Sequence, residues 1–222
     1  IAAHAAMEAR EPVLLFSLEM SHSEITQRLL VSEARVDANR IRNGRLLDAD
    51  WPKISNAIGR LGEAPLFVDD NPNLTVMELR AKARRLKARQ GGLGLIIVDY
   101  LQLMSGRRNA ESRQVEISEI SRGLKILARE LEVPVLALSQ LSRNLESRAD
   151  KRPVLADLRE SGSLEQDADV VMFLYRDEIY NPESADRGTA EIIVSKHRNG
   201  PTGKAQLAFL DHYTRFANMA RV

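Results

Sequence analysis

Three polar side chains, each at or just beyond the end of a short apolar run, are the residues of this 222-residue chain best suited to chemistry. Asp99 follows LIIV, Glu19 comes just after VLLFS, and Gln140 ends VPVLALSQ. A carboxylate at the end of a buried strand can hold the magnesium ion that bridges nucleotide phosphates. A second carboxylate can orient or deprotonate water, and an amide can position that water or contact the terminal phosphate. Together they predict a site for a nucleotide or another phosphate ester.

Each of these residues also has a simpler structural explanation. Asp99 could merely cap the turn that follows its strand. Glu19 could interact with the dipole of a helix that begins at Ser21, where Ser21 and Glu24 have the spacing of a capping box. Both explanations stay open at the level of sequence.

The proposed chemistry requires neighbouring parallel strands, because their carboxyl ends meet in one crevice. Apolar runs alternate with amphipathic segments along the chain, which predicts an α/β fold: a mostly parallel sheet flanked by helices and finished by a C-terminal β-hairpin. Strands are predicted at residues 13–17, 65–70, 95–98, 133–140 and 170–175, with the hairpin at 191–195 and 205–210. Helices are predicted at 1–10, 21–36, 48–61, 75–90 and 111–132, a partly helical segment at 155–167, and a mobile loop at 142–153.

Composition narrows the class of protein. A hydrophobic content of 44% predicts one sizeable core, so residues 1–222 are expected to form a single domain. A net charge of +1 provides no global basic field, so any nucleic-acid contact must be local. The absence of cysteine excludes disulfides and thiolate metal sites, and the four histidines have no metal-ligand spacing. No apolar run approaches the roughly 20 residues of a membrane span, so no membrane contact is expected.

The predicted helix at 75–90 carries six basic residues. Such a run of charge usually forms a solvated helix face, and a surface for a partner is the alternative.

A phosphate-binding loop of the form G-x-x-x-x-G-K-[ST] is not present in the chain. The nearest match, GPTGK at 200–204, has the wrong spacing, is followed by Ala205 instead of a hydroxyl residue, and lies in the predicted hairpin turn. We expect the loop to lie upstream of Ile1, because residues 1–10 resemble the helix that such a loop opens. On this expectation the chain is a fragment, or its beginning is not shown, and alone it hydrolyses ATP negligibly.

Five stretches, in order along the chain, carry a resemblance to a known family. They are VLLFSLEMS (13–21), IIVDYLQLM (96–104), VLALSQLSR (135–143), DLRESGSLEQDADVV (157–171) and KHRNGP (196–201). They closely resemble the motor domain of the DnaB family of replicative DNA helicases, almost from end to end. The resemblance implies a RecA-like P-loop NTPase core that uses ATP and Mg²⁺ and forms a homohexameric ring around single-stranded DNA. It also implies primase and a helicase loader as partners, and a cytoplasmic location at the bacterial replisome. The family's Walker A loop and helical N-terminal domain are not in this sequence.

The resemblance also assigns roles to individual residues. Glu19 is expected to be the catalytic base, Asp99 the Walker B residue that holds magnesium, and Gln140 the phosphate sensor. Lys196 and Arg198 are expected to form a finger that reaches the ATP of a neighbouring subunit. They lie two residues apart on a predicted strand, so both side chains face the same way, although surface strands often carry such pairs.

The family's DNA-contacting loop is matched by Arg159, Glu160 and Gly162. That loop lacks aromatic residues, so base stacking is not expected. Backbone amides and Arg159 would instead contact DNA phosphates, without sequence preference.

Two other functions stay open. A RecA-like recombinase or a clock-type ATPase would use the same fold. Whether DNA is unwound or merely coated would distinguish these proteins from a helicase. A catalytically silent module that only docks a loader or a primase is the alternative from another class.

Overall fold

The computed structural model describes residues 1–106 and 111–219, without the side chains of residues 159–161. Two four-stranded sheets form its framework. The first is parallel, in the order β2-β1-β3-β4, and the second is antiparallel, in the order β5-β6-β7-β8. The strands are β1 (Val13–Ser17), β2 (Leu66–Asp69), β3 (Leu95–Asp99), β4 (Val135–Ala137), β5 (Val170–Tyr175), β6 (Thr189–His197), β7 (Gly203–Leu210) and β8 (Arg215–Asn218).

Seven α-helices lie within the described residues. They are α1 (Ala2–Met7), α2 (His22–Ala34), α3 (Ala38–Arg42), α4 (Asp50–Glu63), α5 (Val76–Gln90), α6 (Arg113–Leu131) and α7 (Gly162–Asp167). Short 3₁₀ helices include Leu101–Leu103 after β3, Arg143–Ser147 after β4, and Leu155–Ser161 before α7.

The two central strands of the parallel sheet are apolar up to their last residues, Ser17 and Asp99, because both of their faces are covered. Phe16 of β1 and Ile96 of β3 are fully buried against a cluster that contains Leu79 of α5 and Ile120 of α6. On the opposite face, Val13, Leu15 and Ile97 pack with Ala6 of α1. Helices on both sides therefore fix the register of β1 against β3.

Gly123 marks the point of close approach between α6 and α5. A Cβ atom at this position would lie 2.8 Å from Cγ1 of Val76, the first residue of α5. The two helices that cover one face of the sheet meet here, so a larger residue would push Val76 away.

The α/β fold class is confirmed, and the structure corrects several predicted elements. β4 is shorter than predicted, so Gln140 lies beyond its end. β5 is not hydrogen-bonded to the parallel sheet within the described residues, and joins the predicted hairpin strands in the separate antiparallel sheet. β8 and α3 were not predicted. The sequence shows β8 only as four residues with no clear apolar pattern, RFAN, and its place is determined by pairing with β7.

The segment predicted as a mobile loop, residues 142–153, is instead anchored by two of its arginines. Arg148 makes a bidentate ion pair with the buried carboxylate of Asp157, at 3.0 and 3.1 Å. Arg152 pairs with Glu191 of β6, and its guanidinium lies 4.8 Å from the ring centroid of Tyr175. The first contact ties the segment to the 3₁₀ helix Leu155–Ser161, and the contacts of Arg152 tie it to the antiparallel sheet.

The basic face of α5 is largely occupied within the chain. Five of the six cations contact neighbouring groups, and Arg85 alone makes no such contact among the described residues. Arg80 and Arg84 pair with Glu130, Lys82 pairs with Asp69, Lys87 donates to the Leu131 carbonyl, and Arg89 lies over Phe67. These contacts favour the interpretation as a solvated helix face over a partner surface.

Candidate functional site

The register of β1 against β3 brings two of the predicted site residues to the same edge of the sheet. Ser17, the last residue of β1, is paired with Asp99, the last residue of β3. The pairing continues for one more hydrogen bond, in which the Leu18 amide donates to the Asp99 carbonyl at 2.8 Å. The buried Ser17 hydroxyl donates to the Met20 carbonyl at 2.7 Å, which fixes the turn that presents Glu19. Glu19 and Asp99 therefore lie together, as the sequence predicted.

The beginning of α2 is capped without Glu19. The Ser21 amide donates to Glu24 Oε2 at 2.8 Å, and the Glu24 amide donates back to Ser21 Oγ. The His22 amide donates to Asp70 Oδ2 at 2.8 Å. Within the described part of the chain, the Glu19 side chain makes no hydrogen bond and no ion pair. The hydrogen bonds that cap α2 therefore do not involve Glu19, and its interaction with the helix dipole is the alternative that they leave open.

The electrostatics of the pair are those of a ligand site. Burial and the negative charge of Glu19 raise the pKa of Asp99, whereas the positive charge of Arg28 on α2 opposes them. Neither carboxylate has a hydrogen-bonding partner for its side chain among the described residues. Two neighbouring carboxylates without such partners repel each other, and a cation beside them relieves that repulsion. Arg28 was not predicted from sequence, because it lies on a helix face whose direction is known only once α2 is placed.

Gln140 lies at the same edge, one strand further along. The Leu138 amide donates to the Val98 carbonyl at 2.9 Å, which continues the β3–β4 pairing beyond β4. The Gln140 backbone is then held by the side chain of Gln102, a residue that the sequence did not mark. Gln140 is exposed, and its side-chain amide has no partner within residues 1–106 and 111–219.

A pocket of about 280 Å³ opens beside Gln140. Gln102 and Gln140 form one side of it, Arg113 and Gln114 of α6 another, and Asp157 a third. Asp157 belongs to the 3₁₀ helix that leads to the predicted DNA loop, so the pocket lies between that helix and Gln140.

Lys196 and Arg198 lie on the other sheet. Lys196 is near the end of β6. Arg198 is the residue immediately after the strand, and so does not lie on the strand as predicted. Both side chains point to the same place, the C-terminal end of α7: Lys196 donates to the Glu165 carbonyl, and Arg198 donates to the Gln166 carbonyl at 3.2 Å. Cations are favoured at a helix C-terminus.

Asp169 completes this second cluster. It lies 3.4 Å from Nε of Arg198 and also pairs with Lys125 of α6. The hydrogen bond from Lys125 lowers the pKa of Asp169, although burial opposes it. No hydrogen bond or ion pair among the described residues joins Lys196 or Arg198 to Glu19, Asp99 or Gln140. The structure of one chain therefore shows two separate clusters.

The predicted DNA loop is described only in part, because the side chains of Arg159 and Glu160 lie outside the described residues. Gly162 is the first residue of α7, is exposed, and has an ordinary φ of −53°. A Cβ atom there would have no neighbour within 4 Å, so the fold of this chain does not require glycine at this position.

A magnesium site was tested against the residues present. No group of three or more His, Asp or Glu side chains in the described ranges could hold a metal ion by itself. Mg²⁺ at phosphate sites is usually bound by one or two carboxylates together with phosphate oxygens and water. Asp99, half-buried and beside Glu19, meets that smaller requirement.

Comparison with known proteins decides the family. The sequence model of the DnaB-like helicase C terminal domain matches residues 1–218. The chain belongs to this family. The replicative DNA helicase DnaB of Geobacillus stearothermophilus is 53% identical over 222 residues, which are 100% of this chain and 49% of that protein. The replicative DNA helicase DnaB of Pasteurella multocida is 57% identical over 219 residues, 98% of this chain and 47% of that protein.

Two solved structures have the same fold. One, an ATPase domain, superposes with a TM-score of 0.93 at 43% identity, covering 96% of this chain and 76% of that one. A DnaB-like replicative helicase, described with its interactions with primase, gives a TM-score of 0.94 at 43% identity, covering 96% and 52%. The chain spans about half the length of the curated relatives that it matches. The predicted family and the RecA-like α/β fold are thereby confirmed. None of the described helices has both the length and the hydrophobicity of a membrane-spanning segment.

Proposed function

We propose that this chain is the single motor domain of a replicative DNA helicase, which hydrolyses ATP to move along single-stranded DNA and unwind the duplex. The observation that carries the proposal is the meeting of Glu19, Asp99 and Gln140 at the carboxyl edge of the parallel sheet. Family membership and the names of the relatives support it.

In this proposal each edge residue has one task. Asp99 would hold magnesium, which when bound with ATP neutralises charge on the β- and γ-phosphates. Glu19 orients the attacking water and accepts its proton, for which an exposed carboxylate without a protein partner is suited. Gln140 contacts the terminal phosphate. Its backbone is fixed by Gln102, and its side-chain amide has no partner among the described residues, so the amide is available for this contact.

Lys196 and Arg198 act, in this proposal, on the ATP of a neighbouring copy of the chain. Their separation from Glu19 and Asp99 within one chain supports action between chains, as does the exposure of half of the Arg198 side chain. A homohexameric ring around single-stranded DNA would place each β6 end against the next subunit's strand-end edge.

The DNA loop would contact phosphates through Arg159 and backbone amides near Glu160 and Gly162. Gly162 is not required by the local fold, which supports a role in close approach to a ligand. Primase and a helicase loader are proposed partners, and the bacterial cytoplasm is the proposed location. The relative whose structure is described with primase supports the first of these.

The neighbouring strand ends provide a direct test of the magnesium role. Asp69 ends β2 at the same edge as Asp99, but pairs with Lys82 at 2.6 Å. Metal binding at a phosphoryl-transfer site is worth several kcal/mol, at about 1.4 kcal/mol per tenfold change in rate. We therefore expect Asp99→Asn in the full-length protein to lower Mg²⁺-dependent ATP hydrolysis and DNA unwinding by about 10²-fold or more.

The matched variant is Asp69→Asn, which removes a partly exposed ion pair and should change turnover by no more than about threefold. Equal losses in the two variants would contradict the assignment of Asp99.

A further inference from the structure

Gln102 forms a side-chain bridge to the backbone of Gln140. It lies in the 3₁₀ helix Leu101–Leu103, three residues after Asp99. The Gln140 amide donates to Gln102 Oε1 at 3.2 Å, and Gln102 Nε2 donates to the Gln140 carbonyl at 3.2 Å. Gln102 Nε2 also donates to Ser139 Oγ at 3.0 Å.

The bridge begins where the backbone pairing of the two strands ends. The Leu101 amide donates to the Leu138 carbonyl at 3.0 Å, which is the last backbone hydrogen bond between the two segments. Beyond Leu101 the chain turns into the 3₁₀ helix, so its peptide groups no longer face Gln140. A glutamine side chain offers one acceptor oxygen and an NH₂ donor, as a peptide group does. Gln102 thus supplies the next rung of the ladder with its side chain.

Gln102 is itself held from the other side, by α6. Arg113, the first residue of α6, donates from Nη2 to the backbone carbonyl of Gln102 at 2.5 Å and to that of Met104 at 3.3 Å. Arg113 also pairs with Glu116, and Glu116 accepts from the Gly106 amide. These contacts therefore fix the backbone of residues 102–106, from which the Gln102 side chain extends to Gln140.

We propose that Gln102 is a positioning residue for Gln140. It fixes the direction in which the Gln140 side chain leaves the edge of the sheet, and it joins the 3₁₀ helix after β3, the strand that ends in Asp99, to the segment after β4 that carries Gln140. The inference deepens the proposed function and rests on it, because it requires Gln140 to act on nucleotide.

The first test is Gln102→Met in the full-length protein. Methionine is similar in length and volume but cannot make the bridge. The variant loses three neutral hydrogen bonds, and the loss of the two to Gln140 corresponds to an effect of about tenfold or more. We expect kcat for ATP to fall about tenfold while KM changes less than about threefold, because Gln102 acts through a residue that meets the reacting phosphate. Gln102→Glu keeps the acceptor for the Gln140 amide but loses the donor, so its kcat should lie between those of the wild type and Gln102→Met.

Gln114→Met is the matched control. Gln114 lines the same pocket on α6, and its side chain makes no hydrogen bond among the described residues, so kcat should be unchanged. Thermal unfolding of all variants shows whether folding is intact. If Gln102→Met does not fold, Gln102→Glu replaces it in every comparison.

The second test separates positioning from general stabilisation. In a Gln140→Ala background, Gln102→Met should have no further effect on single-turnover hydrolysis, since the residue it positions has been removed. Additive losses, or a normal kcat for Gln102→Met beside an impaired Gln140→Ala, would overturn this inference alone. Normal turnover in Gln140→Ala would overturn the proposed role of Gln140, and this inference with it.

Discussion

The strand-end edge of the parallel sheet and the end of β6 both present charged or polar side chains, but the protein holds them by different means. The side chains of Glu19 and Asp99 extend from backbone that is fixed by the buried β1–β3 pairing. Arg198 lies just beyond the end of β6, and its side chain contacts one helix carbonyl and the half-exposed Asp169. The first set is positioned by a core, the second by a few solvent-accessible contacts.

This difference indicates a division of tasks. Side chains that must keep a fixed geometry toward a phosphate and a water molecule are best placed on rigid strand ends. A cation that must reach a second subunit needs contacts that can be exchanged, because exposed ion pairs contribute little free energy. The arrangement therefore suits an ATP site built by one chain and completed by another.

The largest effect is expected at Arg198. Trans-acting cations of this kind are worth about 10³–10⁵ in rate where they have been measured. Arg198→Ala in the full-length protein should lower steady-state ATP hydrolysis by that factor and keep ATP affinity within about tenfold. The matched variant is Lys204→Ala, which removes a cation from the neighbouring strand β7 and should leave turnover near normal. A comparable loss in Lys204→Ala would indicate a general effect of charge.

Glu19 tests the other side of the comparison. Glu19→Gln should keep ATP binding and lower hydrolysis by about 10²–10⁴-fold, the usual range for loss of a general base. Glu24→Gln weakens the capping box of α2, so it should lower the denaturant midpoint and leave turnover intact. Near-normal hydrolysis in Glu19→Gln would contradict the catalytic role, and a shifted midpoint there would return Glu19 to a structural role.

The Arg148–Asp157 pair lies between the two extremes of the comparison, since its carboxylate is buried and its guanidinium is about one-third exposed. Removing one partner of a fully buried pair costs about 3–5 kcal/mol, so Arg148→Ala should lower the free energy of unfolding by about 2–3 kcal/mol. Chemical denaturation measures this value. Arg143→Ala in the same segment should be neutral, because the Arg143 side chain makes no hydrogen bond and no ion pair within the described residues. Equal losses in the two variants would show that the pair is not responsible.

The smallest effect is expected at Asp169. Its lowered pKa means that its contribution to stability is present above the unfolded-state pKa near 3.8 and is lost as the pH falls through the folded-state pKa. Since the group is half-exposed, Asp169→Asn should change ATP turnover by less than about fivefold at pH 7. The stability difference from wild type should vanish in acid, and a difference that persists once the Asp169 carboxyl is protonated in the folded protein would exclude the charge as its cause.

The same division explains what could be predicted from the sequence. The runs before Glu19 and Asp99 are continuous and apolar, which predicts buried parallel strands, and burial then fixes where those residues lie. The capping box at Ser21 is a local pattern, and the structure shows it.

Contacts between distant segments left no such pattern. Gln102 meets Gln140 only because β3 and β4 are neighbours, and Asp169 meets Arg198 only because α7 ends beside β6. The separation of the antiparallel sheet was missed for the same reason, since an apolar run such as VVMFLY does not specify which strand it pairs with.

The central claim is that the two regions act together across two chains, and mixing inactive proteins tests it most directly. Full-length Arg198→Ala and Glu19→Gln proteins, each inactive alone, are combined under conditions that allow subunit exchange, and ATP hydrolysis is measured against the mixing ratio. Some interfaces in mixed rings then carry an intact Glu19 on one side and an intact Arg198 on the other. We predict partial recovery of ATP hydrolysis with a maximum at intermediate ratios. No recovery, in mixed rings that are shown to form and in which wild-type subunits tolerate inactive neighbours, would contradict action between chains.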